Sequence, residues 1–129
     1  MIRIDGVIPP GDILYFDVVR IFPTGGKLSV LNVPGSVLRS LIEMGTASVG
    51  QGGFMIFANV RKGPDGAWLI KDAPLADDKT YKIVTGEMPA AVFGYPPFKG
   101  SGAEKLYDTR EMRAIMTDRL RRDLARTAG

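Results

Sequence analysis

The sequence predicts an α+β domain in which helices pack on a mixed β-sheet. Two stretches, 35–44 and 109–126, place apolar residues at helical spacing along one face. Several shorter stretches alternate apolar and polar residues or are rich in Leu and Val, as strands are. Turns containing Pro and Gly separate these stretches. With 129 residues and 45% hydrophobic content, the chain is expected to form one domain with its own core.

Five strands are predicted from these patterns. Residues 27–33 are rich in Leu and Val, and residues 80–85 alternate. Residues 54–60 are apolar on both faces, which is typical of a central strand. Residues 67–71 follow a Gly/Pro turn and are expected to form a hairpin with that strand. The fifth strand, 1–5, begins without a lead-in, so we expect the natural chain to extend upstream.

The first two predicted helices follow from apolar spacing and from their end signals. Residues 15–21 form a short helix that Pro23 ends, with Asp17 as a candidate N-cap. Residues 35–44 form the second helix, and Gly45 stands where a C-cap glycine is expected.

The third predicted helix covers residues 109–126 and carries most of the arginines. Asp108, with Glu111 three residues later, resembles a capping box at its start. Its six arginines spread over the faces that are not apolar, and aspartates interrupt the positive charge. We therefore interpret these arginines as a solvated face and not as a nucleic-acid site.

Composition excludes several classes of catalytic site. The chain contains no Cys and no His, so disulfides, thiolate metal sites, imidazole metal centres and Ser-His triads cannot form within it. A carboxylate-only magnesium site stays open, but no close acidic cluster indicates one. We predict that this polypeptide alone is not a complete catalyst. The net charge of +3 favours anionic ligands only weakly, and no apolar run is long enough to span a membrane.

The turn Thr24-Gly25-Gly26 is a candidate ligand-binding element. Two glycines permit positive φ and a close approach of the backbone to a ligand. A phosphate-binding P-loop is excluded, because Ile21 stands where its first glycine would be and Leu28 follows Lys27 in place of Ser or Thr. A plain structural turn is the alternative interpretation.

Several short motifs occur in an order that is more specific than any one of them. They are Ile2-Arg3-Ile4-Asp5, Pro23-x-Gly25-Gly26, Gly35-Ser36-x-Leu38, Gly52-Gly53-Phe54, Pro74-Leu75-x-x-Asp78-Lys79-Thr80-Tyr81-Lys82-Ile83 and Gly94-Tyr95-Pro96. In order and spacing the chain resembles the C-terminal domain of the 5′-nucleotidase family of metallophosphoesterases. The resemblance covers nearly the whole chain.

The resemblance implies a substrate-recognition domain of a 5′-nucleotidase-like phosphoester hydrolase of nucleotide catabolism. In that family, divalent metal ions are held by His, Asp and Asn in a separate N-terminal domain. We therefore expect this chain to be a fragment that is inactive alone and has no cofactor of its own. The expected partners are a small phosphate ester, with a nucleotide as the candidate, and an N-terminal catalytic domain of the same chain, without nucleic acid or membrane. The resemblance also implies a periplasmic or secreted protein.

The recognition residues of the family transfer unevenly. Arg3 matches the arginine that contacts the substrate phosphate, although a surface arginine is the plainer interpretation. Thr24 and Met88 stand where two aromatic rings stack on the base, and Phe93 falls near the acidic residue that holds the ribose. Phe93 or Tyr95 could supply a ring from the other side of the loop, or could simply fill the core beneath it.

These departures favour a second hypothesis, a non-catalytic binding or interaction module that keeps the fold and has lost the nucleoside pocket. A stacking partner contributes about 0.5–1.5 kcal/mol beyond its buried area. Losing two would weaken binding by about one to two orders of magnitude, at ~1.4 kcal/mol per decade. An upstream segment with Asp-x-His and Asn-His-Glu would favour the enzyme, and its absence would favour the module.

Overall fold

The structure, a computed structural model, describes residues 8–51, 55–86 and 102–127. In chain order these ranges form α1 (Tyr15–Ile21), β1 (Lys27–Pro34), α2 (Gly35–Ala47), β2 (Val60–Lys62), β3 (Trp68–Ile70), β4 (Ala73–Pro74), β5 (Thr80–Gly86), β6 (Glu104–Glu111) and α3 (Met112–Thr127). The predicted α+β class is confirmed. The strand predicted at 1–5 lies outside the described residues.

The described strands form two small antiparallel sheets in place of the expected single mixed sheet. The larger sheet has the order β5-β1-β6, so β1 is its central strand. The smaller sheet has the order β2-β3-β4 and contains the predicted hairpin, with Val60 opposite Ile70 and Lys62 opposite Trp68. Within the described residues, both partners of β1 come from the C-terminal half of the chain.

The main core lies between β1 and α2. Leu31 and Val33, two residues apart on β1, are fully buried together with Ile42 of α2. Val37, Leu38 and Leu41 of α2 and Leu75 complete the buried cluster, and Trp68, Ile70, Tyr81 and Ile83 pack at its margin. The core-facing residues of β1, two apart, therefore pack against the apolar face of α2, whose residues have helical spacing, as the sequence predicts.

The predicted central strand at 54–60 is wrong for the residues that the structure describes. Residues 55–59 are not in a strand, and β2 begins only at Val60. Instead, the segment crosses α2, where the Met55 amide donates to the Gly45 carbonyl oxygen at 3.1 Å. A Cβ on Gly45 would lie 2.8 Å from the Met55 Cβ and 3.1 Å from Phe57. Met55 and Phe57 thus pack on a helix, whereas Ile56 between them is exposed, and the segment does not form a buried strand.

Gly45 is also not the C-cap that we predicted. It is buried inside α2, which continues to Ala47, three residues beyond the expected end. The close approach of the Met55–Phe57 segment explains the glycine, because any side chain there would collide with it. A glycine near a helix end satisfies two different structural needs, and the local sequence does not distinguish them.

The start of the C-terminal helix differs from the prediction as well. Residues 104–111 form β6, which the sequence analysis did not identify, and α3 begins at Met112 and not at 109. The first five of the eight β6 residues are all exposed. The strand therefore lacks the alternation of buried apolar and exposed polar residues by which a strand is recognised in a sequence. Glu111 caps α3, since one of its carboxylate oxygens accepts from the Ala114 amide at 3.1 Å.

The first helix has the predicted bounds but a different cap. Asp17 lies inside α1, and its carboxylate accepts from the Leu14 amide at 2.8 Å. It therefore closes the first turn from within the helix and is not the N-cap residue. Among the helices of the described ranges, none combines the length and the apolar character that crossing a bilayer requires.

Candidate functional site

The turn between α1 and β1 is the candidate site in the part of the chain that the structure describes. Gly25 has φ +58° and Gly26 has φ +93°, so both lie in the region that favours glycine. The Gly25 amide donates to the Phe22 carbonyl oxygen at 3.1 Å, which closes the turn after α1. Thr24 is exposed on this turn.

The first residues of α3 hold this turn by its carbonyl groups. The Arg113 guanidinium donates through Nε to the Phe22 oxygen at 2.8 Å and through Nη2 to the Pro23 oxygen at 2.6 Å. The Met112 amide donates to the Gly26 oxygen at 2.7 Å. Three carbonyls of one short turn are thus fixed by residues about 90 positions later in the chain.

Glu111 packs against the same turn. A Cβ on Gly25 would lie 2.9 Å from Glu111 Oε1 and 3.1 Å from Arg113 Cζ, so a side chain at Gly25 has no room without a shift. Glu111 Oε1 is buried and has no hydrogen-bond partner among the described residues, whereas Oε2 accepts from the Ala114 amide. The turn therefore needs glycine both for its conformation and for its packing.

The turn leaves several donors unbound, while three carbonyls in and beside it are occupied. In the described ranges, the Thr24 amide and hydroxyl and the Gly26 amide make no hydrogen bond. The carbonyls of Phe22, Pro23 and Gly26 accept from the Gly25 amide or from α3 residues, whereas the described residues show no donor to the Thr24 and Gly25 carbonyls. The donors left for a ligand are the N–H and O–H of Thr24 and the N–H of Gly26. Such a surface suits a ligand that offers hydrogen-bond acceptors.

A buried hydroxyl next to the turn fastens β6 to β1. Ser29 is fully buried, and its Oγ donates to Asp108 Oδ1 at 2.6 Å. Lys105 Nζ lies 3.0 Å from Asp108 Oδ2. The hydrogen bond from Ser29, and next the one from Lys105, lower the pKa of the Asp108 carboxyl below its usual 3.8. Since the Ser29 proton is directed to a carboxylate and no histidine exists in the chain, this pair does not form an activated nucleophile.

This pair lies at an irregularity of the β1–β6 ladder. The register shifts between Lys27, which is opposite Glu111, and Ser29, which is opposite Asp108. One residue of β1 between these pairs therefore faces two residues of β6. At this position the backbone amide of Leu28 donates to a side chain, Thr109 Oγ1, at 3.3 Å. After this irregular pairing, β6 ends next to the turn, and Glu111, Met112 and Arg113 lie beside it.

The site contains three of the predicted residues and two that sequence reasoning missed. Thr24, Gly25 and Gly26 lie together on the turn, while Arg3, Met88, Phe93 and Tyr95 lie outside the described residues. Arg113 was assigned to a solvated face, yet its side chain is only partly exposed and binds the turn. Glu111 was assigned to a capping box, and its contact with Gly25 has no local signal in the sequence.

No group of acidic residues in the described ranges could hold a metal ion. The carboxylates near the turn are already engaged, Asp108 by Ser29 and Lys105 and Glu111 by the α3 amide. The resemblance implies divalent metal ions in a separate N-terminal domain, and the described residues do not test that expectation.

A second concave surface lies between α2 and the β2–β3 hairpin. It is an open groove of about 550 Å³, lined by Arg39, Glu43, Thr46, Ala47, Lys62, Gly66 and Trp68. Its cations are already occupied: Arg39 pairs with Asp77 at 2.8 Å, and the Lys62 ammonium lies 5.0 Å from the centre of the Trp68 ring. The first contact links α2 to Asp77 and the second joins β2 to β3, so we regard the groove as structural.

Comparisons with known proteins agree with the sequence motifs. The family model described as 5′-nucleotidase, C-terminal domain, matches residues 1–91. The chain is 35% identical over 83 residues to Protein UshA of Yersinia enterocolitica (serotype O:8 / biotype 1B), an alignment that covers 60% of this chain and 15% of the relative. The chain thus spans only a small part of that relative's length. The search of solved structures found no match. β6 and α3, which hold the turn, lie beyond the matched residues.

Proposed function

Since the chain belongs to the family of 5′-nucleotidase C-terminal domains, we propose that it is the substrate-recognition domain of a 5′-nucleotidase-like phosphoester hydrolase. The observation that carries this proposal is the turn at Thr24–Gly26. It lies within the family-matched residues, has the positive φ angles that its glycines permit, and exposes donors at Thr24. A nucleotide supplies the acceptors that such donors need, on its phosphate, its ribose and its base.

The catalytic part of the reaction belongs elsewhere in this proposal. Divalent metal ions in a separate N-terminal domain of the full-length protein would supply the chemistry that cleaves the phosphate ester. This chain would bind and orient the phosphate ester, with Arg3 on the phosphate and with Thr24, Phe93 and Tyr95 around the nucleoside. A periplasmic or secreted location is part of the same proposal, and it is supported only by the resemblance to the family.

A second candidate function is a non-catalytic binding or interaction module. The observation in its favour is Thr24, which places a small polar side chain at the exposed position where the family has a stacking ring. Met88 and Phe93 depart from the family in the same direction. In this case the fold and the turn persist, while affinity for a nucleoside is lost.

Titration of the 129-residue protein with AMP, adenosine and inorganic phosphate tests the first candidate. Heteronuclear NMR should show AMP shifting the Thr24, Gly25 and Gly26 amide signals, and calorimetry should show AMP binding more tightly than phosphate alone. Val49, an exposed residue on the loop after α2, provides a distant reference signal that should not move. The protein alone should not hydrolyse AMP when divalent cations are added.

The outcomes separate the two candidates. If none of the three ligands binds, the recognition function is refuted and the module is favoured. Turnover of AMP by the purified chain would contradict the assignment of catalysis to another domain. The parent reading frame gives an independent check, since an upstream Asp-x-His and Asn-His-Glu segment is expected for the enzyme.

A further inference from the structure

We infer that Arg113 is a positioning residue for the proposed substrate: it sets the orientation of the Thr24–Gly26 turn so that the turn's donors face the ligand. The inference rests on the proposed function, because it assigns how the same turn is prepared for binding. It concerns a residue outside the family-matched range 1–91.

The geometry of Arg113 suits the restraint of a turn. Its Nε and Nη2 donate to the consecutive carbonyls of Phe22 and Pro23, at 2.8 and 2.6 Å. A planar guanidinium can make both bonds at once, so it fixes the orientation of two peptide planes and not merely the position of one atom. The two planes lead directly into Thr24, and their orientation determines where its amide points.

Other arginines of the same region are used differently. Arg110 lies 2.9 Å from Asp118, and Arg119 lies 2.8 Å from Asp123, with both arginine side chains 65% exposed. Arg113 has no carboxylate within ion-pair distance in the described ranges, and the nearby Glu111 carboxylate is bound to the Ala114 amide. Arg113 thus donates to neutral carbonyls of the turn, as expected for a residue that orients the turn.

Apart from Arg113, the turn is held by the Gly25–Phe22 hydrogen bond and by the Met112 amide, and neither involves the Pro23–Thr24 peptide. On the far side of the Arg113 contacts, Thr24 is exposed and makes no hydrogen bond to a described residue. The Met112 amide fixes only the end of the turn, at Gly26. Without Arg113, the Pro23–Thr24 peptide would have to be ordered by the ligand itself, and that ordering would reduce affinity.

The test compares Arg113→Lys with the matched control Arg110→Lys, which sits three residues earlier on β6. Lysine keeps the charge and most of the stem but cannot donate to both carbonyls. AMP affinity should fall by about tenfold in Arg113→Lys, because binding would then include the cost of ordering the Pro23–Thr24 peptide. The Gly25 and Gly26 amide signals should also move in the free protein. Arg110→Lys should change neither quantity.

Fluorescence of Trp68, the only tryptophan, reports whether each variant is folded, since it lies in the other sheet. A folded Arg113→Lys variant that binds AMP as the wild type does would overturn the inference, as would equal losses in Arg113→Lys and Arg110→Lys. Absence of AMP binding by the wild type would instead refute the proposed function, and the assignment of Arg113 to the substrate with it. A purely structural role would lower stability without changing the affinity of the folded protein.

Discussion

Replacing Gly25 with alanine tests the packing of the candidate site most directly. Gly25 has φ +58°, where an L-residue loses about 1–2 kcal/mol relative to the right-handed region. The new methyl group would also lie 2.9 Å from Glu111 Oε1 and 3.1 Å from Arg113 Cζ. Overpacking of this kind typically costs about 1–3 kcal/mol. The sum predicts a loss of about 2–5 kcal/mol in the free energy of unfolding.

Urea denaturation followed by circular dichroism measures this loss. With a urea slope of about 2 kcal/mol/M, the middle of the range for a small protein, the midpoint of Gly25→Ala should fall by about 1–2.5 M. Gly50→Ala is the matched control, because Gly50 has φ +78° but nothing within 4 Å of its added Cβ. The control should therefore pay the backbone cost alone.

A double-mutant cycle with Glu111→Ala separates the two contributions. Glu111→Ala alone should cost about 0.5–2 kcal/mol, because α3 loses its N-cap. In its background Gly25→Ala should cost about 1 kcal/mol less, since the nearest atom has been removed. Equal losses for Gly25→Ala and Gly50→Ala, with no coupling to Glu111, would refute the claim that contact with α3 requires glycine here.

Three further changes test the pocket, the strand pairing and the start of α2. Thr24→Phe places a ring at the exposed position and, under the proposed function, should tighten adenosine binding about two- to tenfold without changing phosphate binding, by calorimetry. The pKa of Asp108 is lowered in the folded protein, so its contribution to stability is full above its unfolded pKa near 3.8 and is lost as pH falls through the folded value. Urea midpoints between pH 2 and 6 should therefore fall less steeply in Asp108→Asn, and in Ser29→Ala, than in the wild type, and identical slopes would contradict this. Gly35→Ala would drive a methyl group into the backbone of the 76–77 segment and should lower stability by about 1–3 kcal/mol or more, whereas the exposed Ser36→Ala should change it by less than about 0.5 kcal/mol, by thermal or urea unfolding.

Local patterns were sufficient where one element meets the core with a regular period. β1 and β5 have the predicted positions because their apolar spacing matches their burial. α1 also has the predicted bounds, although Tyr15 and Phe16 are exposed and Val18 alone is buried among its residues. The sequence also identified the glycine turn after α1, since few residues other than glycine accept positive φ. The family match could likewise be anticipated from the order of short motifs.

Local patterns failed where a distant segment determines the role of a residue. β6 is mostly exposed, so its pairing with β1 leaves no apolar alternation to detect. Gly45 is required by the crossing of Met55 and Phe57 over α2, and it looked like a helix end. In each case the deciding contact joins residues far apart in the chain or hidden from a periodic pattern.

The candidate site divides along the same line. By itself, the sequence determined the α+β class, the absence of histidine and cysteine chemistry, and the glycine turn that carries Thr24. Only the tertiary structure decided that Glu111, Met112 and Arg113 hold this turn, across about 90 residues. The physical reason is that φ preferences and apolar periods are properties of neighbouring residues, whereas a guanidinium finds its carbonyl partners only after β6 has paired with β1.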